Sequence, residues 1–232
     1  MSWRAFGAFG AFGAVVIGGF SAASAQEPPA RPTEAGKSVT EEAVSDPSAL
    51  VLLVRSSFDV MRRCWPDMPA RAEFGWHVHQ IERRSASLLA ALPLDQLRES
   101  ARNVAVSEPC DEDTREALKE VPVFAAKFAR DLGAEAYSEE ESWRPDVSTV
   151  AVLLAAHRAQ MRCAQAPSDA GGRVAAATRA MRRMLDEYAG PAAAAALWSA
   201  AVKTAADDNP ECTAVSGMIG AAVDLANERI SP

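Results

Sequence analysis

The sequence lacks the short motifs that mark the common enzyme classes. It contains no G-x-S-x-G elbow, no S-x-x-K pair, no H-E-x-x-H and no glycine-rich phosphate loop. Each of these motifs places a nucleophile, a metal or a nucleotide in a defined local structure. The sequence therefore predicts neither an enzyme nor a cofactor.

Lysine is also scarce, since only four of the 24 basic residues are lysine. An excess of arginine fits anion recognition by planar guanidinium groups, and it also fits the codon bias of a GC-rich genome. The arginines are scattered along the sequence, which favours codon bias. The net charge of −7 argues against nucleic acid and against an anionic membrane as the main partner.

The one long apolar run lies at the amino terminus, in residues 1–25. It follows Arg4 and ends in the small residues Ala23, Ser24 and Ala25, the A-x-A pattern that signal peptidase accepts. A membrane anchor is the alternative, but the run is short for a spanning helix. We predict a cleaved signal peptide over 1–25, a disordered linker over 26–46, a periplasmic or secreted location, and no stable membrane insertion of the mature chain.

Beyond the linker, the sequence predicts an all-α protein. Apolar residues recur every three or four positions over 50–65 and 74–92, and a third helix is predicted from Leu94 to Val106. Asp111 and the acidic residues after it are typical of a helix start, and Pro122 should kink the following helix or divide it. No segment shows the alternation of apolar and polar residues that is typical of a β-strand.

The second half of the sequence resembles the first. The Arg-Cys pair that ends at Cys64 recurs at Cys163, at an offset of 99 residues, and a helix-breaking proline follows in both halves. We therefore predict two tandem disulfide-stapled helical-bundle repeats of about four helices each, over 47–134 and 147–232, joined by an acidic linker over 135–146.

This duplication predicts how the four cysteines pair. None of them forms a C-x-x-C pair, so the usual signature of zinc binding and of thioredoxin-like redox chemistry is missing. In an up-and-down bundle the ends of the first and third helices lie together, which predicts Cys64–Cys110 and Cys163–Cys212. Each bridge closes a loop of nearly fifty residues. By lowering the entropy of the unfolded chain, each bridge is expected to stabilise the fold by about 4 kcal/mol.

Three histidines are the remaining candidates for chemistry. His77, His79 and Glu82 are close in sequence, but residues two apart on a helix point about 200° apart, so both histidines cannot bind one ion from one helix. A half-buried or solvent-facing pair is favoured over a metal site. By the repeat offset, His157 takes the place of Phe58 on an inner helix face. It is either a core or cleft residue, or a ligand or base in a pocket.

Together these observations predict a non-enzymatic protein that binds a protein partner or a small ligand. The alternative is a metal-binding protein or a hydrolase that uses these histidines in a groove between the two repeats.

Overall fold

A computed structural model of the chain describes residues 46–86, 94–163, 170–207 and 211–230. The predicted signal peptide, and the predicted linker up to residue 45, lie outside the described residues. Within the described ranges, no helix is both long and apolar enough to cross a membrane.

All regular structure in the described ranges is helical, as predicted. The helices are α1 (Pro47–Cys64), α2 (Arg71–Ser85), α3 (Leu94–Ser107), α4 (Glu112–Leu118), α5 (Val121–Asp131), α6 (Arg144–Arg162), α7 (Ala170–Tyr188), α8 (Pro191–Asp207) and α9 (Val215–Ile230), with a short 3₁₀ turn at Cys212–Ala214 before α9.

Local chemistry accounts for the boundary between α4 and α5. The carboxylate of Asp111 accepts a hydrogen bond of 2.8 Å from the backbone N–H of Thr114, which satisfies one of the first N–H groups of α4. Pro122 has no N–H, so it is tolerated only in the first turn of a helix. It lies there in α5, and it divides the predicted single helix into α4 and α5.

The described helices group into two compact units. One contains α1, α3 and α4, and the other contains α2 together with the chain from Pro122 onward. This grouping differs from the predicted boundaries of 47–134 and 147–232, because α2 belongs with the C-terminal helices. The duplication itself stays a prediction.

The first unit is built on the apolar stripe of α1. Phe58 and Val54 are fully buried on α1, which packs against α3 and α4. From α3, Leu97, Ala101 and Ala105 are buried at intervals of four residues, as expected for one helix face.

The second unit is built around α6, which packs against α7, α8 and α9. Leu153 of α6, Leu185 of α7 and Ile219 of α9 are fully buried. The buried residues of α8 are the small Ala194, Ala201 and Ala205, which permit a close approach of helix backbones.

Two disulfides are present, one in each unit. Cys64 is joined to Cys110, and Cys163 is joined to Cys212. These are the pairs expected from the sequence. In the first unit the bridge ties the end of α1 to the segment between α3 and α4. In the second it ties the end of α6 to the turn before α9.

Candidate functional site

The sequence-predicted residues of α2 lie in the interior of the second unit. His77, His79 and Glu82 are 2%, 3% and 1% exposed. The helix is buried on more than one face, because every residue from Phe74 to His79 is buried. The residues expected to be half-buried or solvent-facing are therefore core residues.

Gly75 and Arg71 fix α2 against the end of α7. A side chain at Gly75 would place its Cβ 1.8 Å from the carbonyl oxygen of Tyr188, so only glycine permits this approach. The Arg71 guanidinium donates hydrogen bonds to the carbonyl oxygens of Asp186 and Glu187, at 3.3 and 3.5 Å. Carbonyls at a helix end lack intrahelical partners, so a cation stabilises them there.

Gly190 completes this junction directly after α7. Its φ of +87° lies in the left-handed region that favours glycine. A Cβ there would also lie 2.9 Å from Nε of Arg71. The chain therefore turns out of α7 beside the Arg71 side chain.

Glu82 and His79 share Tyr188 as a neighbour. The Tyr188 hydroxyl donates a 2.5 Å hydrogen bond to Oε2 of Glu82. The His79 ring lies 4.8 Å from the Tyr188 ring and is stacked on Trp143, with ring centroids 6.5 Å apart. A buried carboxylate needs such a donor, because burial without a hydrogen bond is costly. This contact joins residues 106 positions apart in the sequence.

His77 has different neighbours from His79. Its ring contacts the Trp76 ring at 5.2 Å and the Tyr137 ring at 6.2 Å, and its Nε2 lies 3.8 Å from Oε1 of Glu73. Burial lowers the pKa of His77, and the charge of Glu73 offsets part of that effect. The two histidines therefore lie in separate surroundings, as their 200° separation on the helix predicts.

A buried carboxylate that the sequence analysis missed lies at the start of α6. Asp146 is 4% exposed, and among the described residues its Oδ1 has no hydrogen-bond partner. Burial raises the pKa of Asp146 to about 6, although the nearby positive charges of Arg229 and Arg83 act in the opposite direction. In the sequence, Asp146 is the last residue of the predicted acidic linker, where a carboxylate is usually solvated.

His157 does not join these groups. It is exposed on α6, whereas Phe58, its predicted equivalent, is fully buried on α1. The expected place on an inner helix face is not observed. Within the described part of the chain, no group of three or more His, Cys, Asp and Glu side chains could hold a metal ion.

The first unit has its own buried charge cluster on α1. Arg55 and Asp59 are 2% and 3% exposed and form a two-point ion pair, with N–O distances of 3.1 and 3.3 Å. Arg62 adds a contact of 3.2 Å to Asp59. The i, i+4 spacing of Arg55 and Asp59 was visible in the sequence, but their burial was not, because charged residues are rarely buried.

Both buried charge clusters are organised as parts of a core. Glu82 is hydrogen-bonded to Tyr188, and Asp59 is paired with two guanidinium groups. The Glu82–Tyr188 hydrogen bond joins α2 to α7, whereas the ion pairs of Asp59 lie within α1, and both carboxylates lie away from the surface. No known protein-family model matches the chain, and no curated protein or solved structure is significantly similar to it.

Proposed function

We propose that the chain is an exported protein that acts by binding another protein, and not by catalysis. The observation that carries this proposal is the burial of the groups most suited to chemistry. A general acid or base must come within about 3 Å of its substrate. His77, His79, Glu82 and Asp146 are each at most 4% exposed, so a substrate outside the core does not reach them.

The exposed histidine has no catalytic partner on its own helix. Catalysis by histidine requires a nucleophile or a carboxylate in hydrogen-bond reach. The exposed residues that follow His157 on α6 are Arg158, Met161 and Arg162, and none of these three is a nucleophile or a carboxylate. The hydrolase or metal-protein alternative therefore has less support than binding through the outer surface.

Export is supported by the predicted leader and by the two disulfides. Disulfides persist in oxidising compartments and are rare in the cytosol. Mass spectrometry of the protein recovered from its source cells should show a chain that begins near Gln26. A cytoplasmic product that retains residues 1–25 would contradict export.

The binding function is tested with the oxidised mature chain, residues 26–232, as bait. Proteins from an extracytoplasmic extract are crosslinked to it, and each candidate is purified and titrated by calorimetry. We expect one saturable partner, with binding lost when the bait is reduced and unfolded. The absence of a saturable partner, combined with a hydrolytic activity that His157→Ala removes, would overturn the proposal.

A further inference from the structure

Three side chains on one face of α2 follow the segment that leads into α6. At 100° per residue, Trp76, His79 and Arg83 lie within about 60° of arc. The indole N–H of Trp76 donates a hydrogen bond of 3.2 Å to the carbonyl oxygen of Ser142. The His79 ring is stacked on the ring of Trp143, which is 2% exposed. This face of α2 therefore packs against the start of α6.

The first turn of α6 has little local support at this contact. Trp143 is its N-cap residue, and the Trp143 side chain makes no capping hydrogen bond. The first N–H groups of a helix have no intrahelical partner, so a helix start without a cap opens at low cost. Opening can therefore be confined to this turn, while the middle of α6 stays buried around Leu153.

Asp146 places a buried carboxyl group in this turn. It is 4% exposed, and within the described ranges its Oδ1 accepts no hydrogen bond. The positive charges of Arg229 on α9 and Arg83 on α2, both half-buried, act on it. A buried carboxylate that lacks a hydrogen bond is costly, whereas the neutral acid is tolerated. The turn is therefore more stable when Asp146 is protonated.

Charged and titratable groups from three helices lie around this contact. They are Arg83, Arg84, His79 and Glu82 on α2, Tyr188 on α7, and Glu228 and Arg229 on α9. Burial lowers the pKa of Arg83, and the like charge of Arg229 adds to this effect. Among the described residues, α8 contributes no charge that acts on Asp146. The ionisation of Asp146 is therefore opposed by burial and favoured by two guanidinium groups.

We propose that the contact between α2 and the start of α6 is a pH-sensitive latch, closed while the Asp146 carboxyl is protonated and released as it ionises. We call residues 142–146 the latch. Burial raises the pKa of Asp146 from 3.8 to about 6 in the closed form, and opening returns the carboxyl to water. The closed form thus binds the proton more tightly, so opening is favoured as the pH rises through this interval. The latch does not depend on the proposed binding function.

The two pKa values of Asp146 set the size of the effect. Complete ionisation changes the opening equilibrium by the ratio of the two acid constants, about 100-fold. Part of this change is already complete at pH 5, so the expected increase in opening between pH 5 and pH 7.5 is about tenfold.

The test measures hydrogen exchange of the oxidised mature chain, residues 26–232, at these two pH values. Mass spectrometry follows peptides that cover the latch, and rates are corrected for the intrinsic pH dependence of amide exchange. Asp146→Asn removes the titrating group. The control variant Glu135→Gln makes the same change in charge at an exposed residue of the preceding linker. Arg83→Gln removes a positive charge that favours the ionised carboxylate.

We expect opening of the latch to increase about tenfold from pH 5 to pH 7.5 in the wild type and in Glu135→Gln, and less than about twofold in Asp146→Asn. Arg83→Gln should open more than the wild type at pH 7.5 and equally at pH 5, because the lost charge stabilised only the ionised form. At both pH values the latch should exchange faster than the peptide that contains Leu153, since opening is local.

A pH response that persists in Asp146→Asn would overturn the proposal, as would no response in the wild type. Opening that increases as the pH falls would overturn it too, because that direction is expected when a buried histidine gains a proton. Equal protection of the latch and of the Leu153 peptide would show that only global unfolding exposes this turn, and the latch would then be wrong.

Discussion

Replacing Gly75 by alanine should displace α2 from α7. The added Cβ would lie 1.8 Å from the Tyr188 carbonyl oxygen and 2.6 Å from its carbon. These are backbone atoms, so no side-chain rotation relieves the clash. An ordinary contact needs more than 3 Å, and the helices must therefore move apart by more than 1 Å. Overpacking of this kind costs about 3 kcal/mol, and breaking the adjacent buried contacts adds to it.

The matched control for this prediction is Gly172→Ala on α7. Gly172 is exposed in a helix, and a Cβ there has nothing within 4 Å. Alanine is the better helix former, so this variant should gain about 0.5–1 kcal/mol. Both variants are measured by urea unfolding of the oxidised chain, followed by tryptophan fluorescence. A Gly75→Ala variant within 1 kcal/mol of the wild type would refute the packing of α2 described above.

Three further predictions concern buried polar groups. Asp146 has a pKa raised from 3.8 to about 6, so it reduces stability increasingly as the pH rises through this interval, by up to about 3 kcal/mol. Asp146→Asn should therefore be more stable than the wild type at pH 7.5 and equal to it near pH 4, and a constant difference in paired melts would contradict this. Asp59→Asn removes the negative charge beside the buried Arg55 and should cost about 3–5 kcal/mol in urea unfolding, while a loss below 1 kcal/mol would mean that the pair is dispensable. Tyr188→Phe removes the hydroxyl that donates to Glu82 and should cost about 2 kcal/mol at neutral pH, and an unchanged midpoint would show that water replaces it.

The helices and the bridges were accessible from the sequence because their signals are local or topological. Apolar periodicity identified α1 and α3, and proline chemistry separated α4 from α5. The pairing of Cys64 with Cys110 followed from the position of helix ends in a bundle. None of these inferences depends on which helix packs against a given helix face.

The partner of α2 was not accessible, since it depends on contacts between distant residues. In the sequence, Gly75 is only a weak helix former within a predicted helix. Glycine is required there because the Tyr188 backbone lies against it, and that contact is seen only in the structure. In the sequence, the charge of Glu82 likewise indicates a solvated side chain, and only the structure shows the Tyr188 hydroxyl that donates a hydrogen bond to it.

The position of α2 has a consequence for biogenesis. The chain is synthesised from its amino terminus, so Cys64 and Cys110 both emerge before α7 has been made. The loop that the Cys64–Cys110 bridge closes contains α2, and the part of α2 that packs against the end of α7 has no cover until Tyr188 emerges. Completion of the second unit therefore depends on the last third of the chain, and a truncated product would present an uncovered helix to proteases and chaperones.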